Sequence, residues 1–183
     1  MGLAADQCAV RASARRWEPD PDAMPDGCWD RTVDVGKLAM RVSEAGLAFT
    51  ANEEGFSAVI YDDNGHPAIG YGHDIQPGEI FNPPITKLEA QQLLSQDIAT
   101  RFEPALNSLV PLECTQNQFD ALADFAYNEG VGALAMLLGH GWDQVTNQLP
   151  RWRFIHVSGV ITEDAGLAAR RQREISLFET APA

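Results

Sequence analysis

Two carboxylates, Glu54 and Asp63, flank a short apolar run in the stretch E-G-F-S-A-V-I-Y-D-D-N-G-H-P-A-I-G-Y-G-H, Glu54 to His73. Ala58 to Tyr61 reads as a strand, Asp63-Asn64-Gly65 as a turn, and Ala68-Ile69-Gly70-Tyr71-Gly72-His73 as the return. Asn-Gly between two β-prone runs is a strong hairpin signal, because both turn positions need positive φ. An acid ending a helix and another at a hairpin tip can face each other across a cleft. That pair suits glycoside cleavage, with one carboxyl protonating the leaving oxygen and the other handling water or developing positive charge. Asp62 is the neighbour that could be confused with Asp63.

The helix that must carry Glu54 is capped by Ser43, with Val42, Leu47, Phe49 and Ala51 as its apolar side. Gly55 fits the C′ position and leaves Glu54 in the last turn. There the carboxyl meets the negative end of the helix dipole and the apolar Phe56, and both disfavour ionisation. A general acid must still hold its proton near neutral pH, which such a position favours. A lone Glu-Gly would otherwise read as a solvated acid at a helix end.

Further along, Pro77-Gly78-Glu79 and Asn82-Pro83-Pro84 form a loop, and Thr86-Lys87-Leu88-Glu89 is a capping box. It opens a long helix through Leu88, Leu93, Leu94, Ile98 and Phe102, which Pro104 is expected to bend or end. A second capping box, Thr115 to Gln118, starts a helix with the buried-type stripe Phe119, Leu122, Ala123, Phe125, Ala126. Leu134–Leu138, Trp142–Leu149 and Trp152–Phe154 read as short helices, and Gly166–Phe178 as a last one. The class is α+β, mostly α.

Residues 1–40 carry Pro/Asp-rich punctuation without apolar periodicity and read as an N-terminal extension; the domain proper spans 41–183. Trp17 and Trp29 in the extension could stack on sugars or dock a partner, or the segment could simply pack on the domain. Cys8, Cys28 and Cys114 are too few for a disulfide framework; they read as reduced thiols, with a Cys8–Cys28 bridge as the alternative. The histidines are scattered, so no metal and no cofactor is expected. No apolar run is long enough for a membrane span, and the N-terminus lacks the pattern of a signal peptide. Synthesis in the cytoplasm is therefore expected, with release or injection needed for action outside it. The net charge is −13, and residues 42–150 hold only Lys87 and Arg101 against fifteen acids. Such a body argues against nucleic acid. It also predicts repulsion from anionic surfaces that moderate salt relieves.

Taken in order, Glu54-Gly55, Tyr61-Asp62-Asp63, Gly65 and Ile69-Gly70-Tyr71-Gly72-His73 resemble the signature of the bacteriophage lysozymes, glycoside hydrolase family 24. Thr115–Gly132 and Gly166–Phe178 resemble that family's second and third blocks, so the resemblance covers residues 43–178. It implies two lobes: a small β-hairpin lobe and a helical lobe joined by a long helix. It implies a monomeric muramidase acting on bacterial peptidoglycan, with Glu54 as acid and Asp63 as second carboxylate. Arg170 would pair with the glutamate. Asn128 would line the sugar groove, or cap its helix, since the two roles are compatible. Tyr61, Tyr71 and Phe56 read as core packing that could also line the cleft, and His73 as a tie between hairpin and domain more than a catalytic group. The chain departs from the family at Ala68, where a threonine hydroxyl usually holds the attacking water; Asn64 or His66 could substitute. Two other readings stay open: a lytic transglycosylase using Glu54 alone, and a weakened homologue that binds the wall.

Overall fold

A computed structural model of the protein describes residues 38–63, 65–157 and 159–181. Residues 1–37 of the N-terminal extension, with Cys8, Trp17, Cys28 and Trp29, and the turn residue Asn64 lie outside the described residues. The first helix, α1 (Glu44–Glu54), starts where Ser43 accepts a hydrogen bond from the Gly46 amide. A hairpin follows, β1 (Ser57–Asp63) and β2 (His66–Gly70), in antiparallel register with Tyr61 opposite Ala68 and Asp63 opposite His66. The return was expected to run unbroken to His73. Instead the chain turns at Tyr71-Gly72 and adds a two-residue third strand, β3 (His73–Asp74), because Gly70 and Gly72 both take positive φ.

Helix α2 (Lys87–Asp97) begins at the Thr86–Glu89 capping box. The helical path does not end at Pro104. A π-helical turn, Ile98–Phe102, carries it into α3 (Glu103–Leu109). The Glu103 amide reaches back to the Ile98 carbonyl, so the register has slipped by one residue just before a proline that has no amide to offer.

The helical lobe is built on α4 (Gln116–Glu129), whose Phe119, Leu122, Ala123, Phe125 and Ala126 are wholly enclosed. Around it lie α5 (Val131–Gly139), α6 (Val145–Gln148) with a 3₁₀ turn on each side, and α7 (Ala165–Glu179). One segment differs in kind from expectation. Phe154, read as helical, begins a second hairpin, β4 (Phe154–Val157) and β5 (Val160–Glu163). Phe154, Ile155, Val157, Val160 and Ile161 are all exposed on it. Alternating β-branched residues around Gly159, which has positive φ, carry the strand signal there.

Candidate active site

Helix α1 delivers Glu54 to the site because it is pinned to α4 at its start. The Ser43 amide and hydroxyl both donate to Asp120, and Gly46 lies so close that a Cβ there would fall 2.5 Å from the Asp120 carboxyl carbon. Glu54 ends the helix as expected, and its side chain is 20% exposed. With Gly55, Phe56, Ser57, Tyr61 and Gly70 it lines an open pocket of about 290 Å³. A larger hollow of about 370 Å³, bounded by Thr115, Trp142, Phe178 and Glu179, lies elsewhere on the helical lobe. Of the two, the smaller holds a buried carboxyl paired to a guanidinium, and chemistry outweighs size here.

The register of the first hairpin separates the two neighbouring aspartates. Side chains alternate along a strand, so Tyr61 and Asp63 share a face with Ala68 and His66, while Asp62 faces the other way. Tyr61 lines the Glu54 pocket, and Asp62 instead accepts a hydrogen bond from the Gly65 amide. Asp63 is thus the aspartate on the pocket's side. Its charge reaches the Glu54 carboxyl and, together with that of Glu54, the Tyr61 phenol, which burial already pushes up.

Arg170, on α7, donates through Nη2 to Glu54 Oε1 at 2.7 Å. The same guanidinium gives two further bonds to Asp124 of α4, at 3.0 Å and 2.9 Å. Burial raises the Glu54 carboxyl above its ordinary range. Arg170 opposes this by charge and hydrogen bond, and the Asp124 and Asp63 charges add to the rise. On Arg170 itself burial works against the charge, but Asp124 and Glu54 outweigh it and hold the guanidinium above its usual value. The other oxygen, Glu54 Oε2, lies beside Gly72, where a Cβ would sit 3.5 Å from it.

Arg171, one residue on, is almost fully enclosed and donates to Glu129, Asn128 and Glu174 at 2.8, 2.8 and 2.6 Å. Of the three arginines in this helix, only Arg173 behaves as a half-exposed surface charge, paired with Glu53. Asn128 does not cap α4. Gly130, with a φ of 89°, takes that place, and the Asn128 side-chain oxygen Oδ1 accepts a hydrogen bond from Arg171. Tyr71 is buried, with its ring 5.6 Å from that of Phe56. Its carbonyl accepts a 2.9 Å bond from the Tyr127 hydroxyl, which ties α4 to the glycine turn beside Glu54.

His73 is buried. Nδ1 lies 2.7 Å from Asp97 at the end of α2, and Nε2 lies 3.0 Å from Glu79 in the following loop. The Asp97 hydrogen bond raises its pKa, burial lowers it, and Glu79 adds to the rise, with a net upward shift. Ala68 is buried and brings no hydroxyl. His66, one of the two candidates to replace that hydroxyl, stands at the hairpin end opposite Asp63. Among the described residues no cluster of His, Cys, Asp and Glu is placed to hold a metal ion, and no helix is long and apolar enough to cross a membrane.

Asp124, Tyr127, Arg171 and Glu174 were not singled out from sequence. Two aspartates and a tyrosine inside the apolar run F-D-A-L-A-D-F-A-Y were the available signal, since a polar group on a buried helix face must have a partner.

The model of the phage lysozyme family matches residues 51–174. The endolysin of Bacillus phage PZA is 33% identical over 153 residues, covering 77% of this chain and 56% of that relative. This chain therefore spans about half the length of that curated relative. The endolysin of Acyrthosiphon pisum secondary endosymbiont phage 1 is 32% identical over 151 residues, covering 78% of this chain and 100% of the relative. Among solved structures, the endolysin from Escherichia coli O157:H7 phage FAHEc1 matches with a TM-score of 0.69 at 28% identity, covering 80% of this chain and 99% of that one. The match runs from the helix that ends in Glu54 to the helix that carries Arg170, in sequence and in fold, and the chain belongs to the phage lysozyme family.

Proposed function

We propose that the protein is a peptidoglycan N-acetylmuramidase, hydrolysing the β-1,4 bond between N-acetylmuramic acid and N-acetylglucosamine. The observation that carries this is Glu54, a largely buried carboxyl raised above its ordinary range at the wall of an open pocket, with one oxygen held by Arg170. A carboxyl that keeps its proton can pass it to the glycosidic oxygen as the bond breaks. The second oxygen, Oε2, beside Gly72, is the donor position. Asp63, on the hairpin face that carries Tyr61, would stabilise the oxocarbenium-like transition state or orient water. Asn128 keeps its side-chain amide available to a sugar while Arg171 holds its oxygen. The enzyme would act as a monomer on the wall, after release or injection.

Ala68 supports one competitor. Without a hydroxyl there to hold water, the sugar's own hydroxyl could attack, making the protein a lytic transglycosylase that needs Glu54 alone. Digestion of purified peptidoglycan by wild type, Glu54→Gln and Asp63→Asn separates the two, with products identified by mass after borohydride reduction. Reducing muramic ends, lost in both variants, are expected of the muramidase. Anhydro ends that survive Asp63→Asn would select the transglycosylase. Wall binding without any product from wild type would leave a binding protein.

A further inference from the structure

Behind Glu54 lies a continuous buried chain of charges. It runs from Glu54 to Arg170, to Asp124 and Glu174, then to Arg171 and out to Glu129. Two guanidiniums thus face four carboxyls. Asp124 and Glu174 have no exposed side-chain surface, and Arg171 has almost none. If all four acids were ionised, the cluster would carry an excess of negative charge in a place where water cannot screen it. Two protons make the cluster neutral, one on Glu54 and one deeper in, and the geometry points to Glu174 for the second. Glu174 Oε1 is engaged by Arg171 at 2.6 Å, while Oε2 has no donor in the protein. A carboxyl oxygen without a donor is the one that can carry a hydrogen. Burial first, and then the charge of Asp124, push the Glu174 carboxyl above its ordinary range against the pull of Arg171. With Glu174 neutral, Arg171 is balanced by Glu129, and Arg170 by Asp124. Protonated Glu54 then completes a neutral cluster.

We infer that Asp124 is the positioning residue that lets Glu54 keep its proton: by taking two of Arg170's N–H groups and balancing its charge, it leaves the guanidinium as an orienting hydrogen-bond donor to Glu54 and not as an unmatched cation. Glu174 has a separate part. By holding its proton it keeps a second negative charge away from Arg170, from which it is only 3.7 Å distant. The reading rests on Glu54 being the acid of the proposed muramidase. The groups facing Glu54 are Arg170 of α7, Asp124 and Tyr127 of α4, and Asp63 and Tyr61 of β1. Of these, Asp124 is the one whose removal frees Arg170.

The test is a pH titration of the Glu54 side-chain carboxyl by ¹³C NMR in wild type, Asp124→Asn and Glu174→Gln, alongside the pH profile of peptidoglycan cleavage. In Asp124→Asn the unmatched Arg170 should lower the Glu54 midpoint by roughly one pH unit or more. The alkaline limb of activity should move down with it. Glu174→Gln replaces a carboxyl that is already neutral and should leave the midpoint where wild type has it. A Glu54 midpoint unchanged or raised in Asp124→Asn overturns the inference. So does a Glu174→Gln variant that lowers it as much as Asp124→Asn does. If Asp124→Asn fails to fold, Asp124→Ser removes the same charge with a smaller side chain, and the same midpoint decides. The NMR midpoint needs no turnover, so an inactive wild type would remove the muramidase reading and leave this measurement standing.

Discussion

Replacing Arg170 by glutamine should be far more damaging than the loss of one exposed ion pair. The guanidinium makes three short bonds, one to Glu54 and two to Asp124, and the Asp124 side chain is fully enclosed. Once Arg170 is gone, Asp124 must stay charged in the interior without its main partner or take up a proton. Breaking a buried pair in this way costs about 3–5 kcal/mol. For a domain of this size each kcal/mol lowers Tm by about 2–4 °C, so the variant should melt about 6–20 °C below wild type. Calorimetry and guanidinium unfolding at pH 7 measure it directly. The double variant Arg170→Gln/Asp124→Asn removes the stranded charge and should recover at least half of the loss, because what is costly is the orphan and not the absence of the pair. A deficit below about 1 kcal/mol for Arg170→Gln, or a double variant no more stable than the single, would refute the reasoning.

Three further outcomes are expected. Because the folded protein holds the Glu54 proton more tightly than the unfolded chain does, that proton contributes stability below the ordinary carboxylate range, and the contribution is lost as pH rises through the raised pKa. Glu54→Gln should therefore raise Tm at pH 7 and not below about pH 4, while cleavage falls by roughly 10²–10⁴-fold. His73 has a raised pKa between Asp97 and Glu79, so its contribution is complete below about pH 6.5 and fades as pH rises through the higher folded value. His73→Gln should cost about 2 kcal/mol at pH 6 and progressively less towards pH 9, as read by Tm. Asp63→Asn should lower the cleavage rate by roughly 10²–10³-fold, whereas Asp62→Asn, on the opposite strand face, should stay within about twofold.

The elements that hold the site were legible because each has a local cause. Ser43 and the two capping boxes at Thr86 and Thr115 mark three helix starts where the structure has them. Gly55 marks the end that leaves Glu54 in the last turn, and Asn64-Gly65 marks the hairpin between β1 and β2. The Arg170–Glu54 pair came from resemblance; nothing local links residues 116 positions apart. What stayed hidden was decided by contacts that neither the windows nor the resemblance addressed. Asp124 and Glu174 look like any helix acids until α4 and α7 close over them. Pro104 reads as a breaker, yet the preceding π turn shifts the backbone pairing and the helix continues. Trp152–Phe154 reads as helical in isolation, and only pairing with the β-branched residues beyond it makes Phe154 the start of the β4–β5 hairpin. Asn128 was given a capping role that Gly130 fills, since glycine takes a positive φ without steric cost.

That second hairpin also bears on how the molecules behave in bulk. It is a two-stranded ribbon with both outer edges open among the described residues, exposed aliphatic side chains, and Glu163 as its sole acid. Such an edge is a template for pairing between copies. The formal charge of −13 on each chain opposes such pairing, a repulsion that reaches about 10 Å at 0.1 M salt and about 3 Å at 1 M. Salt that would bring an acidic protein onto the anionic wall of the proposed substrate would therefore also let the ribbons meet. Cleavage should climb with added salt and then fall as light scattering begins to rise, and replacing Val160 with lysine, which charges the ribbon, should push that turning point to higher ionic strength.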